Sequence, residues 1–210
     1  MPAVLEAPAR PTRERILDNA LRLFAERGYQ ATSIGEIESA AGLAPRSGGL
    51  YKHFPSKRAL IDAALAERVG AIGAIDERVE LLPLGDLRAE LILLARLALD
   101  ELEGERDLSR LVMKEGDRFP ELADAFHAGI VERGHRIAAS WLARRSVALD
   151  LELPDVEATA QVLTDALVGY ALQHHIFGDR ATRVDRERAI AAWTRLVFDH
   201  IDPERRRDEQ

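Results

Sequence analysis

The sequence predicts an all-α protein. Apolar residues recur with a period of 3.6 from one end of the 210 residues to the other. No sustained alternating, β-branched segment interrupts them. Serines and glycines stand where such helices would begin and end.

The first helix is expected in "TRERILDNALRLFAERG", where Ile16, Leu17, Ala20, Leu21 and Phe24 form one stripe and Gly28 supplies a stop. In "TSIGEIESAAG", Ser33 and Glu36 read as a capping box, each side chain satisfying an orphan amide of the first turn. Ile34, Ile37 and Ala41 then face one way, and Gly42 ends the helix. After "LAPRSGGLYKHFP", Ser56 reads as the cap of a helix starting "KRALIDAAL". Pro83 and Gly85 break the pattern. Further helices are expected over "DLRAELILLARLALDEL", near "ERDLSRLVMKEG", and over 119–146, 155–177 and about 185–201. Residues 1–11 and 202–210 read as loose tails. The one boundary lies near Pro55, dividing the chain into 12–56 and 57–201.

Composition narrows the function classes. The chain is 47% apolar and 31% charged, the balance of a soluble globular protein. Its longest apolar run, "LILLARLAL", contains Arg96 and is too short to span a bilayer, so no membrane partner is expected. The first residues lack the basic start and apolar stretch of a secretory signal. There is no cysteine, which excludes disulfides, thiolate nucleophiles and Cys-based zinc sites and fits a cytoplasmic address. The net charge of −7 is uneven: residues 1–60 hold nine Lys/Arg against six Asp/Glu, the remainder twenty against thirty. A basic end on an acidic chain suggests an anionic partner for that end alone.

Two short helices, a glycine turn and a short third segment make a helix-turn-helix pattern, in which the second helix crosses the DNA backbone and the turn swings the third element into the major groove. Leu50 and Phe54, four apart, would anchor that element. Arg46, Ser47, Tyr51, Lys52 and His53 would face outward as hydrogen-bond donors to phosphates or base edges. Gly48 and Gly49 permit close approach. Pro45 suits the first position of a third helix, and Ser47 could equally cap a shorter one.

"ILDNALRLFAERGYQATSIGEIESAAG" followed by "LYKHFPSK" resembles the DNA-binding domain of the tetracycline-repressor (TetR) family over about residues 12–60. The resemblance implies that Tyr51, Lys57 and Thr32 contact phosphates. It also implies that the rest of the chain is an all-helical ligand-binding and dimerisation domain, without a cofactor. The turn "APRSGG" is two residues longer than is usual in the family, a departure that bears on Arg46 most of all.

Residues 155–177 are apolar on two sides. Val156, Ala160, Leu163, Leu167, Ala171 and His174 line one face; Val162, Ala166, Gly169, Gln173 and Phe177 line another. One face can meet the chain's own core and the other a second subunit, with Ile190, Trp193, Val197 and Ile201 of the last helix alongside. The expected homodimer interface is Val162, Ala166, Gln173, Phe177, Trp193 and Val197. The expected pocket is lined by Met113, Phe126, His127, Trp141, Tyr170 and His174. Asp124/His127 and Glu132/His135 have metal-ligand spacing on a helix, but no second copy completes a centre, and no metal is expected. With no nucleophile elbow, phosphate loop or triad, an enzyme is not expected either. These readings imply a homodimeric regulator that binds double-stranded DNA at a palindromic operator and is released by a small apolar effector. The alternatives are a regulator controlled by a protein partner, and a helical enzyme or ligand carrier.

Overall fold

The computed structural model describes residues 11–80, 82, 85–150, 153–181 and 183–201, with the backbone alone described at 68, 71–77, 80, 179 and 200. Both expected tails, apart from Pro11, and the Pro83 break lie outside the described residues. Helices account for most of these residues, and no strand occurs among them.

Helix α1 (Thr12–Arg27) buries the expected stripe, and Gly28 ends it at φ 90°, a left-handed conformation that favours glycine. Helix α2 (Ile34–Ala40) begins on the expected box: the Ser33 hydroxyl accepts the Glu36 amide at 3.3 Å, and Glu36 Oε2 accepts the Ser33 amide at 2.7 Å. Helix α3 (Lys57–Glu80) starts at Ser56, whose hydroxyl accepts the Ala59 amide at 3.1 Å. Asp86 caps α4 (Leu87–Gly104), and α5 (Arg106–Glu115) follows directly.

The single helix expected over 119–146 is interrupted. Helix α6 (Pro120–Phe126) passes through a π-helical turn, His127–Val131, into α7 (Glu132–Ala148). The cause is tertiary. A Cβ placed on Gly129 would lie 2.5 Å from Val69 Cγ2, so α3 crosses the π turn at a contact only glycine permits. Helix α8 (Val156–Phe177) is capped by Asp155 and ends at Gly178; α9 (Arg186–Ile201) closes the fold.

One core gathers α1, α2 and α3 around Phe24, Ile37 and Leu60, and it also includes Leu108 and Leu111 of α5 and Leu122 of α6. A second, around Trp141, Leu142 and Ile201, joins the far end of α3 to α4, α7, α8 and α9. A third lies between α4, α8 and α9. Packing therefore runs without a break across the 56/57 boundary, and α5 is where the N-terminal helices rest on the C-terminal bundle.

Candidate nucleic-acid interface and cavity

The N-terminal surface is built on two anchors. Leu50 and Phe54 are buried as expected, and Glu38, itself buried on α2, accepts the Leu50 amide at 3.1 Å. Between the anchors Tyr51, Lys52 and His53 are exposed, with Tyr51 at 55%. The third element is a single 3₁₀ turn, Leu50–Lys52, so neither Pro45 nor Ser47 begins an α-helix. The reason is in the backbone: Arg46 has φ 59° and Gly48 φ 72°, and a right-handed helix cannot pass through either. The two extra residues of the turn are taken up as loop. Ser47 Oγ accepts the Gly49 amide at 3.3 Å, and the Arg46 stem lies back over α2, its Cγ 3.4 Å from where a Cβ on Gly35 would stand. Arg46 and Lys52 form no ion pair among the described residues, which leaves their charge available to an anion.

Two expected phosphate contacts are placed differently. Thr32 is 1% exposed, and its hydroxyl donates to the carbonyls of Leu23 and Gly28, at 3.2 and 2.9 Å. That hydroxyl fastens the α1–α2 turn and does not face solvent. Lys57 turns inward: its ammonium donates to the Tyr29 carbonyl and stands 4.2 Å from the centre of the Tyr29 ring. Burial holds this ammonium below the usual lysine range, against the opposing pull of Glu115 and Glu36. Helix α5 grips the same corner. Glu115 Oε1 accepts the Tyr29 amide at 2.8 Å, and Lys114 donates to the carbonyls of Ala25 and Glu26 at the end of α1.

In the C-terminal bundle a cavity of about 380 Å³ lies between α4, α5, α7 and α8. Met113, Phe126 and Trp141 line it as expected. His127, Tyr170 and His174 do not. His127 is exposed on the π turn, 3.5 Å from Glu132. Tyr170 and His174 meet with ring centres 4.7 Å apart and planes tilted by 52°, and both line a separate polar hollow beside Glu103 and Arg106. The imidazoles at the cavity are those of His135 and His175. His135 Nε2 lies 3.0 Å from Asp165 across α7 and α8. His175 is 1% exposed, with Nε2 3.7 Å from Glu103, and burial favours its neutral form, against the opposing pull of Glu103. Spacing alone does not give this: after 160, 163, 167 and 171, positions 174 and 175 stand three and four residues further on, and both continue the face.

The second face of α8 is open. Val162, Ala166, Gln173 and Phe177 are all exposed. On α9, by contrast, Val197 is fully buried and Trp193 half-buried, its indole N–H donating to the Leu163 carbonyl at 2.9 Å. Both pack into the chain's own core, and the large apolar side chain that α9 presents to solvent, among the described residues, is Leu196.

Comparison with known proteins agrees with this geometry. A family model described as "Bacterial regulatory proteins, tetR family" matches residues 16–64, and one described as "AefR-like transcriptional repressor, C-terminal domain" matches residues 93–199. The chain is 25% identical over 192 residues to YvkB, an HTH-type transcriptional regulator of Bacillus subtilis, covering 91% of this chain and 98% of that one. It is 32% identical over 142 residues to the HTH-type transcriptional regulator UidR of Escherichia coli, 67% of each chain. Among solved structures, a TetR-family regulator of Mesorhizobium loti superposes with a TM-score of 0.68 at 24% identity, covering 93% of this chain and 98% of that one. FadR of Bacillus subtilis, solved in complex with stearoyl-CoA, superposes with a TM-score of 0.65 at 19% identity, covering 88% and 96%. At those identities the likeness is one of fold. A helix-turn-helix fastened to a helical bundle, matched by family models over both parts, identifies the chain as a member of the TetR family of DNA-binding transcriptional regulators.

Proposed function

We propose that this regulator is a cytoplasmic repressor that binds a palindromic operator as a homodimer and releases it when a small apolar molecule fills the cavity. The observation that carries this reading is the double role of α5. Ser109, Val112 and Met113 of α5 line the cavity. Leu108 and Leu111 of the same helix lie in the N-terminal core, and Lys114 and Glu115 hold the end of α1. Whatever shifts α5 from the cavity side moves the DNA-reading unit, residues 12–56, against the effector-binding and dimerising part, 57–201. The match to a C-terminal domain described as that of a repressor supports the sign of the response. The stearoyl-CoA held by the FadR structure supports a small molecule as its trigger.

The DNA contacts we propose are Arg46, Ser47, Gly48, Tyr51, Lys52 and His53, with Lys57 joining them if it leaves Tyr29. The subunit contact is the exposed face of α8, Val162, Ala166, Gln173 and Phe177, with Leu196 in the place expected for Val197 and Trp193. The test is binding of the purified protein to the DNA upstream of its own gene, by gel shift and footprint, with and without an apolar compound library. Protection of two half-sites about 34–36 Å apart, or a multiple of that, lost on adding a compound, is the expected result. A hundredfold loss corresponds to about 2.7 kcal/mol of coupling, and DNA must weaken the compound's binding by the same factor. If the operator is bound but no compound shifts either binding or melting temperature, control by a protein partner takes the place of control by a ligand.

A further inference from the structure

After proline, glycine is the least favourable residue in the interior of a helix, so a helical glycine calls for a cause. Two causes are met elsewhere in this chain: a left-handed backbone at Gly28 and a close neighbour at Gly129. Gly134, just past the π turn on α7, has neither. Its φ lies outside the left-handed region, and a Cβ built on it would meet no atom within 4 Å beyond its own turn of helix.

The empty space beside Gly134 belongs to the cavity. Gly134 stands in the middle of the inward face of α7, with Ile130 one turn before it and Ile137, Ala138 and Trp141 after it, and all five line the cavity. The outer face of the same helix carries Glu132, Arg136 and Ser140, all exposed. Gly134, Ile137 and Ala138 point away from that face and yet are only half-buried, because what they face is void. The neighbouring residue, His135, meets Asp165 of α8 at 3.0 Å, and this contact sets the register of the two helices. Across the cavity from Gly134 therefore stands the turn of α8 that carries Leu167 and Val168.

A wall position without a side chain is a recess in the wall. A side chain of the protein could fill it and would gain twice, in helix propensity and in cavity removed. A chain that forgoes both gains at one position keeps the space for another occupant. The shape of that occupant follows. An unbranched alkyl chain has one width along its whole length and would leave the recess empty, forfeiting the contacts its lining offers. A ring or a branch reaches into it.

We propose that Gly134 is a specificity-determining residue of the cavity: it opens a recess in the α7 wall that admits a ligand bearing an apolar ring or branch and ranks it above a straight chain. The proposal rests on the reading that this cavity is the effector site.

The test uses the full chain and two neutral probes. One is the aromatic dye N-phenyl-1-naphthylamine, followed by its fluorescence; the other is 1-dodecanol, followed by displacement of the dye. The wild type should bind the dye more tightly than dodecanol. Gly134→Ala should weaken the dye about tenfold, because the added methyl overpacks the occupied recess, and should leave dodecanol within about twofold. The same variant should melt about 2–4 °C higher, so the loss of the dye is not a loss of fold. Gly70→Ala, at an exposed glycine of α3 that also has open space beside it, should raise the melting temperature similarly and change neither affinity. Ala98→Leu, which fills the cavity from the α4 wall, should exclude the dye. Gly134→Ala binding the dye as the wild type does, or weakening dye and dodecanol alike, overturns the proposal. If Ala98→Leu still excludes the dye in that case, the cavity keeps its place as a ligand site and only the role of Gly134 falls. A wild type that binds neither probe, or a dye that Ala98→Leu does not exclude, overturns the proposal and the cavity's place as effector site with it.

Discussion

Thr32 and Ser33 are neighbours with opposite tasks. The Ser33 hydroxyl accepts an amide at the start of α2 and stays at the surface; the Thr32 hydroxyl donates inward to two carbonyls. Thr32→Val keeps the shape and removes only the donor. It should cost about 1–3 kcal/mol in urea unfolding, because buried acceptors lose a partner. Operator affinity, measured well below the unfolding transition, should stay within about twofold. A large loss of affinity with unchanged stability would instead place Thr32 on the DNA. Lys57 has a similar ambiguity with a different resolution. Its ammonium sits against Tyr29 in the free protein, so any phosphate contact competes with that internal site. Lys57→Ala should flatten the salt dependence of operator binding by about one unit only if the side chain makes the exchange.

The π turn between α6 and α7 shows what a helix concedes to its neighbour. Gly129→Ala would drive a Cβ into Val69 and should cost about 1–3 kcal/mol. Val69→Ala in the same chain should recover most of that loss, a coupling that a double-mutant cycle measures. An effect that Val69→Ala leaves untouched would mean that the backbone of the turn, not this contact, is what requires glycine. Such elements divide what was legible in the sequence from what was not. The stripe of α1, the Ser33–Glu36 box and the Ser56 cap rest on contacts three or four residues apart, so pattern alone locates them. The π turn depends on Val69, sixty residues away, and the loop at 43–49 depends on Glu38 receiving the Leu50 amide. In the cavity, period located the inward face of α8 but not its limit. The step from His174 to His175 turns a side chain by about 100°, and only the neighbouring helices decide which one faces in.

For the whole molecule the open face of α8 is the feature that most needs an occupant. Val162 is 68% exposed and Phe177 57%, with Leu196 of α9 at 71%. If the proposed dimer forms through this face, Val162→Glu should shift the protein from dimer to monomer in size-exclusion chromatography with light scattering while leaving its melting transition cooperative. Operator affinity should fall steeply, because two linked readers gain from effective concentration and one alone does not. A variant that stays dimeric would place the subunit contact elsewhere on the bundle.

The grip of α5 on the end of α1 also bears on how such regulators can be recombined. Cutting the chain at residue 56 and joining a foreign DNA reader to this bundle would seem the natural way to redirect it to another operator. The cut leaves Leu108, Leu111, Lys114 and Glu115 on the wrong side of the join, where they were fitted to this α1 and to Tyr29. A transplanted reader would attach by the continuous helix α3 yet lack its lateral seat, and could bind DNA without answering to the bundle. The unit to exchange is therefore discontinuous in sequence: residues 12–56 together with the side chains of α5 that receive them.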